Sequence, residues 1–155
     1  MKTIRISCIG SGDALPGSPQ YELALEAGRL LAEAGWTVVC GGLRGVMEAV
    51  CKGAKEAGGS TVGILPTSDP ADANDWVDTP VATGLGPMRN YLVILNGDAV
   101  LAFEGGAGTR SELALSQKTG KEVVALARFS GFDELIYAHS PAEAVMELTK
   151  IVGAR

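Results

Sequence analysis

Apolar residues fall along this chain in short unbroken runs, set apart by glycine-rich breaks and by longer stretches with helical spacing. Ile4 to Ile9 is β-branched and apolar and stops at Gly10-Ser11-Gly12, which predicts a strand running into a loop. Pro19 to Ala34 carries leucine and alanine at helical intervals, with Glu22, Glu26, Arg29 and Glu33 for a wet face and Gly35 as a stop. Thr37 to Cys40 predicts a second strand entering Gly41-Gly42. Val46, Met47, Val50, Ala54 and Ala57 then mark a helix ending near Gly58-Gly59. Thr61 to Leu65 is a third strand, closed by Pro66. Thr67 to Pro80, acidic and proline-rich, reads as an exposed excursion over the sheet edge. A short strand at Val81-Ala82-Thr83 precedes a helix from Pro87 to about Asn96. Ala99 to Phe103, a helix from about Thr109 to Lys118, and Glu122 to Ala127 follow as strand, helix and strand. Ser140-Pro141-Ala142-Glu143 opens the last helix with a serine cap, a first-turn proline and a glutamate at the third position.

Strand and helix alternate throughout, and the strands are continuously apolar instead of alternating with polar residues. Both faces of the sheet are therefore covered. The expected architecture is a three-layer, Rossmann-like α/β fold, an open and mostly parallel sheet with helices on both faces, in one domain over residues 1–155. Ligands in such sheets bind beyond the carboxyl ends of the strands. Every glycine cluster except Gly58-Gly59 falls at such an end, so the pattern points to a ligand held on glycine-rich loops.

Composition narrows the choice of ligand. The net charge of −5 leaves no basic face for a nucleic-acid backbone, although a small phosphorylated molecule needs only a few local donors. The amino terminus runs straight into a strand and does not read as a signal peptide. No apolar run reaches the roughly 20 residues of a membrane span. Cys8, Cys40 and Cys51 lack metal-ligand spacing and read as buried, reduced thiols of a cytoplasmic protein. A single histidine, His139, excludes a site built on several imidazoles.

Four loops carry candidate chemistry. In Gly105-Gly106-Ala107-Gly108-Thr109 the missing side chains let main-chain N–H groups face an anion, and the next helix adds its free amino-terminal donors. Thr109 adds a hydroxyl, and Glu112 lies one turn further on. The plain alternative is a tight strand-to-helix turn in which Glu112 complements the helix dipole. Gly41-Gly42-Leu43-Arg44-Gly45 repeats the arrangement, with Arg44 either clamping a phosphate or reaching solvent. Gly10-Ser11-Gly12 supplies a third loop, without the spacing of a dinucleotide fingerprint. In the fourth, Arg89 sits in a first helical turn, where the positive helix end disfavours it. A residue that breaks its local preference is a candidate for function, and Asn90 beside it can hydrogen-bond a base or sugar. Trp76, in the polar excursion, reads as a candidate cap over a ligand pocket.

Gly105 to Thr109 with Glu112, preceded by Arg89 and by Gly41-Gly42 with Gly45 and Met47, resembles the lysine-decarboxylase-like superfamily. Its best-understood members are the cytokinin-activating phosphoribohydrolases. The chain is similar in particular to a shorter branch that includes molybdenum cofactor carrier proteins. The likeness lies in Thr83-Gly84, Arg89-Asn90, Asp98-Ala99-Val100 and the Ser140-Pro141-x-Glu143-Ala144-Val145 ending, and covers nearly the whole chain. The resemblance implies that Arg89 and Glu112 form the catalytic pair if the protein is an enzyme, and that Gly105 to Thr109 hold a phosphate. It also implies a homo-oligomer, with a dimer favoured. Two departures stand out. Glu104 replaces a proline before the paired glycines, and Asn90 replaces a lysine after the arginine, leaving Arg44 and Arg110 as candidates to restore the lost positive charge. Two functions follow from the resemblance: a carrier or binding protein for a molybdopterin-type cofactor, or a hydrolase splitting a nucleoside 5'-monophosphate into free base and ribose 5-phosphate.

Overall fold

A computed structural model describes residues 2–154. Within it β1 (Arg5–Ile9), β2 (Thr37–Cys40), β3 (Thr61–Leu65), β4 (Thr79–Ala82), β5 (Ala99–Ala102), β6 (Val123–Ala125) and β7 (Ile136–Tyr137) form one sheet. The order is β4-β3-β2-β1-β5-β6-β7, and every pairing is parallel. The helices are α1 (Pro19–Glu33), α2 (Val46–Glu56), α3 (Arg89–Leu95), α4 (Ala107–Thr119) and α5 (Pro141–Gly153). This is a Rossmann-like α/β fold, as the alternation predicts.

The unbroken apolar runs explain the two covered faces. Ile6, Cys8, Val38, Cys40, Leu101 and Phe103 turn to the layer of α1, α2 and α5, while Ile9, Val39, Val100 and Ala102 turn to the layer of α3 and α4. Each fully buried leucine or isoleucine contributes about 1.5–3 kcal/mol through lost contact with water. The first layer is unusually close. A Cβ on Gly28 of α1 would lie 2.1 Å from the Val50 carbonyl oxygen, and one on Gly53 of α2 would lie 1.9 Å from that of Leu25. The helices therefore cross backbone on backbone, a contact only glycine permits.

Serine caps open two of the helices, and the one at Ser140 is the cap that the sequence predicts. Ser18 Oγ accepts from Tyr21 N, with Pro19 at the first helical position of α1. Ser140 Oγ accepts from Glu143 N at 3.1 Å, while Glu143 Oε2 reaches back to His139 N at 2.8 Å. The three cysteines are buried free thiols, and the Cys40 and Cys51 sulfurs lie 3.5 Å apart.

Several boundaries move, each for a local reason. β4 begins at Thr79 and takes in Pro80, opposite Gly63, which an edge strand tolerates because one row of its N–H groups has no sheet partner. The segment before α3 opens as a single 3-10 turn at Gly86–Met88, so α3 starts at Arg89 and not at Pro87. α4 starts at Ala107, two residues earlier than Thr109, because the glycine loop itself winds into the first turn. β7 is absent from the sequence expectation, since two residues carry no readable period. The excursion before β4 is tied down as well as exposed. Asn74 N donates to Gly42 O at 2.9 Å and Asn74 Nδ2 to Leu43 O at 2.7 Å. Asp78 pairs with Lys55 at 2.8 Å. Trp76 packs against the α1–α2 core with the Lys52 ammonium 5.7 Å from its ring centre, so it does not cap the site as the sequence suggested.

Candidate functional site

The strand order reverses direction at β1, which has β2 on one side and β5 on the other. Loops leaving such neighbouring strands turn apart and open a crevice at their carboxyl ends. Here the crevice lies between Gly10-Ser11-Gly12 after β1 and Glu104-Gly105-Gly106 after β5. Ser11 joins its walls: its N–H donates to Glu104 O at 2.9 Å, and its carbonyl accepts from Val46 N, the first residue of α2, at 2.9 Å.

A cavity of about 280 Å³ fills the crevice. Gly10, Ser11 and Gly12 form one wall, Gly106, Ala107, Gly108 and Thr109 another, and Arg89, Asn90 and Glu112 face it from α3 and α4. Gly106 stands at the cap position of α4, and no side chain closes that end. The first-turn N–H groups of α4 are thus free to meet an anion.

Arg89 is 9% exposed and Glu112 7%. Arg89 Nη1 donates to Asn90 Oδ1, Asn90 Nδ2 donates to Ser111 Oγ at 3.1 Å, and Ser111 Oγ donates to Gly108 O at 2.6 Å. This relay fastens the guanidinium to the α4 loop and leaves Arg89 Nε buried without a hydrogen-bond partner. Burial lowers the Arg89 pKa, opposed by the nearby Glu112. The Glu112 carboxyl is pushed up to about 8 by burial, with Arg89 pulling the other way. Among the described residues the two make no ion pair within 4 Å, and the Glu112 carboxyl has no hydrogen-bond partner. At neutral pH it is largely a neutral acid beside a buried cation. It can donate a proton or a hydrogen bond to an oxygen placed between them.

The remaining expected residues sit behind the wall. A Cβ on Gly41 would lie 2.6 Å from Arg89 Nη2 and 2.7 Å from Met47 Sδ, so the missing side chain makes the seat of the guanidinium. Gly42 and Gly45 adopt φ of +75° and +66°, and a Cβ on Gly45 would strike Ser11 O at 2.3 Å. A Cβ on Gly105 would lie 2.1 Å from Thr109 Oγ1. These four glycines shape the site without lining its cavity. Arg44 is exposed and lines a neighbouring cleft instead. Arg110 does not restore the missing positive charge: its Nη2 donates to Ser130 O at 2.6 Å and its guanidinium stands over Phe132, 5.5 Å from the ring centre. Glu104 also points aside, its carboxylate accepting from Gln20 Nε2 at 3.3 Å in a separate groove. Ser111 is the member that sequence reasoning missed; its place one turn after Gly108 was the available signal.

Over nearly its whole length, residues 3–152, the chain matches the model of one family, SLOG cluster4. The chain belongs to that family. This SLOG protein is 39% identical over 145 residues to an uncharacterised protein of Archaeoglobus fulgidus, a match spanning 94% of each. It is 36% identical over 97 residues to the cytokinin riboside 5'-monophosphate phosphoribohydrolase of Mycobacterium tuberculosis. That match spans 59% of this chain and 51% of the enzyme, so the SLOG chain answers to about half of its length. The solved structure of the molybdenum cofactor binding protein of Rippkaea orientalis superposes with a TM-score of 0.91 at 35% identity, covering 98% of this chain and 99% of that one. The resemblance read from the glycine loops thus names the correct group of proteins.

Proposed function

We propose that this protein binds a small phosphorylated heterocycle in the Arg89–Glu112 crevice, and that it serves as a binding or carrier protein for a molybdopterin-type cofactor. The observation that carries the reading is the pairing of the open end of α4 with a buried Arg89 whose Nε has no partner. A phosphate seated there receives main-chain N–H groups and a guanidinium at once. The likeness to the Rippkaea orientalis protein over almost the full chain supports the choice of cofactor.

A second reading is favoured by one observation of its own. Glu112, with its pKa raised to about 8, faces the same cavity as Arg89. A proton donor in that position is what a nucleoside 5'-monophosphate phosphoribohydrolase needs when the base departs, and it supports this reading. Glu104 and Asn90, which differ from the hydrolase pattern, stand outside any contact that opposes a phosphate: one points away and the other holds Arg89.

Protein purified without oxygen is expected to carry a pterin phosphate, detected by mass and by fluorescence after oxidation, and Arg89→Ala to lose it. Release of free base and ribose 5-phosphate from nucleoside 5'-monophosphates, abolished in Glu112→Ala, establishes the hydrolase instead. We further read the exposed apolar residues Met88, at the end of the 3-10 turn, and Tyr91 and Leu95 of α3 as a surface for self-association into a dimer in the cytoplasm.

A further inference from the structure

Two of the three buried thiols meet beside the seat of Arg89. Cys40 ends β2, next to Gly41, and Cys51 stands in the second turn of α2, with the two sulfurs 3.5 Å apart. Cys8 is engaged elsewhere, its Sγ donating to Ile6 O at 3.8 Å. We propose that Cys40 and Cys51 form a redox switch: a peroxide joins them as a disulfide, and the joined form holds phosphate less tightly. The inference rests on the phosphate reading above and adds the regulation of that site.

Cys40 is the attacking sulfur. Its Sγ accepts from Gly42 N at 3.4 Å and faces the Cys51 thiol. The hydrogen bond from Cys51 lowers the Cys40 pKa most, and the Gly42 N–H and the Arg89 cation add to it against burial. The Cys51 thiol, donating that bond and buried, is pushed up. Both sulfurs are buried, so a small peroxide is the oxidant that fits. Met47 lines the crevice, and its carbonyl lies 3.8 Å from Cys40 Sγ, so a peroxide in the cavity is one residue away. With hydrogen peroxide, the Cys40 thiolate attacks one oxygen, the O–O bond breaks, and a sulfenic acid and a hydroxide form. The Cys51 sulfur then displaces the sulfenic oxygen, which leaves as water with the Cys51 proton. The sulfurs lose two electrons to the peroxide, and the Cys40 proton makes the hydroxide a second water.

A disulfide draws the sulfurs from 3.5 Å to about 2.0 Å. α2 resists following, because Val50 and Gly53, on either side of Cys51, are pressed against α1. The Val50 carbonyl oxygen is 2.1 Å from the place of a Cβ on Gly28, and the place of a Cβ on Gly53 is 1.9 Å from Leu25 O. The displacement therefore falls on the turn from Cys40 to Gly42. Gly41 in that turn seats the guanidinium, with Arg89 Nη2 2.6 Å from the place of a Cβ. A shift of the turn moves Arg89 within the crevice.

The folded native protein, treated with hydrogen peroxide, is examined by mass spectrometry of its peptides and by calorimetric titration with inorganic phosphate and ribose 5-phosphate. A Cys40–Cys51 crosslink is expected, with affinity for both probes about tenfold weaker. Dithiothreitol should reverse both changes, which separates the switch from oxidation of Met47, a lesion that the thiol does not repair. In Cys51→Ser, shown to be folded by circular dichroism, no crosslink should form and Cys40 should gain oxygen instead. The native arm decides alone if that variant does not fold. A folded protein that forms no Cys40–Cys51 crosslink, or a crosslinked one that binds as tightly as the reduced form, overturns the switch and leaves the phosphate site standing. If the reduced protein binds neither probe, the phosphate reading falls and this one with it.

Discussion

Replacing Glu112 by glutamine removes one ionisable proton from a site whose charge the fold resists. Glu112 is 7% exposed, and its pKa rises from 4.5 to about 8 because burial outweighs the attraction of Arg89. A carboxyl raised in the folded state binds more protons than in the unfolded chain. The stabilisation is full below about pH 4.5 and is lost as pH rises through about 8. The shift has a ceiling of about 5 kcal/mol. Water entering from the cavity screens part of it, so about 2–3 kcal/mol is the expected loss. Urea unfolding of the native protein and Glu112→Gln, at several pH values from about 5 to 9, reads the difference. The amide cannot ionise, so the variant gains on the native protein as pH rises, by about 1–2 M in midpoint at the alkaline end. Any constant offset from exchanging hydroxyl for amide cancels in the slope. A difference that stays flat across this range, or a native protein that gains on the variant at high pH, refutes the reasoning. The second result means that Arg89 holds the ionised carboxylate more strongly than burial disfavours it.

Binding obeys the same sign: affinity for a monophosphate is expected to fall as pH rises through about 8 in the native protein and to stay level in Glu112→Gln, measured by calorimetry in matched buffers. Arg89→Ala should weaken that affinity about 30-fold, near 2 kcal/mol, and unchanged binding would remove Arg89 from the site. Gly41→Ala sets a methyl group against the guanidinium and Met47 Sδ, both ends of flexible side chains. Stability should change by less than about 1 kcal/mol while phosphate affinity drops as in Arg89→Ala; a large loss of stability with normal binding contradicts this. Gly53→Ala meets the Leu25 carbonyl at 1.9 Å and should separate α1 from α2 at about 3 kcal/mol, roughly 10 °C in melting temperature by calorimetric scanning.

The strand–helix alternation, the glycine clusters at strand ends and the cap at Ser140 were all legible in the sequence, because each is encoded within a few neighbouring residues. The same holds for the candidate loops: Gly10 to Gly12, Arg89 with Asn90, and Gly106 to Thr109 with Glu112 do meet around one cavity. The two-residue β7 was not legible, having too few positions for a period to register. The directions of Glu104, Arg44 and Arg110 were also hidden, since each has a loop position that permits either side.

Taken alone, the sequence therefore determined which elements form, where the chain must turn and which residues were candidates for the site. The tertiary structure alone decided what those residues do to one another. Gly41 is a turn glycine by sequence and becomes the seat of Arg89, 48 residues away, only once β2 and α3 are both in place. Glu112 is an ordinary helical acid until burial on the α3–α4 side of the sheet raises its pKa to about 8. Local pattern is written in neighbouring residues, whereas desolvation and the meeting of distant side chains depend on sheet order and register, which bring together segments that the sequence keeps apart.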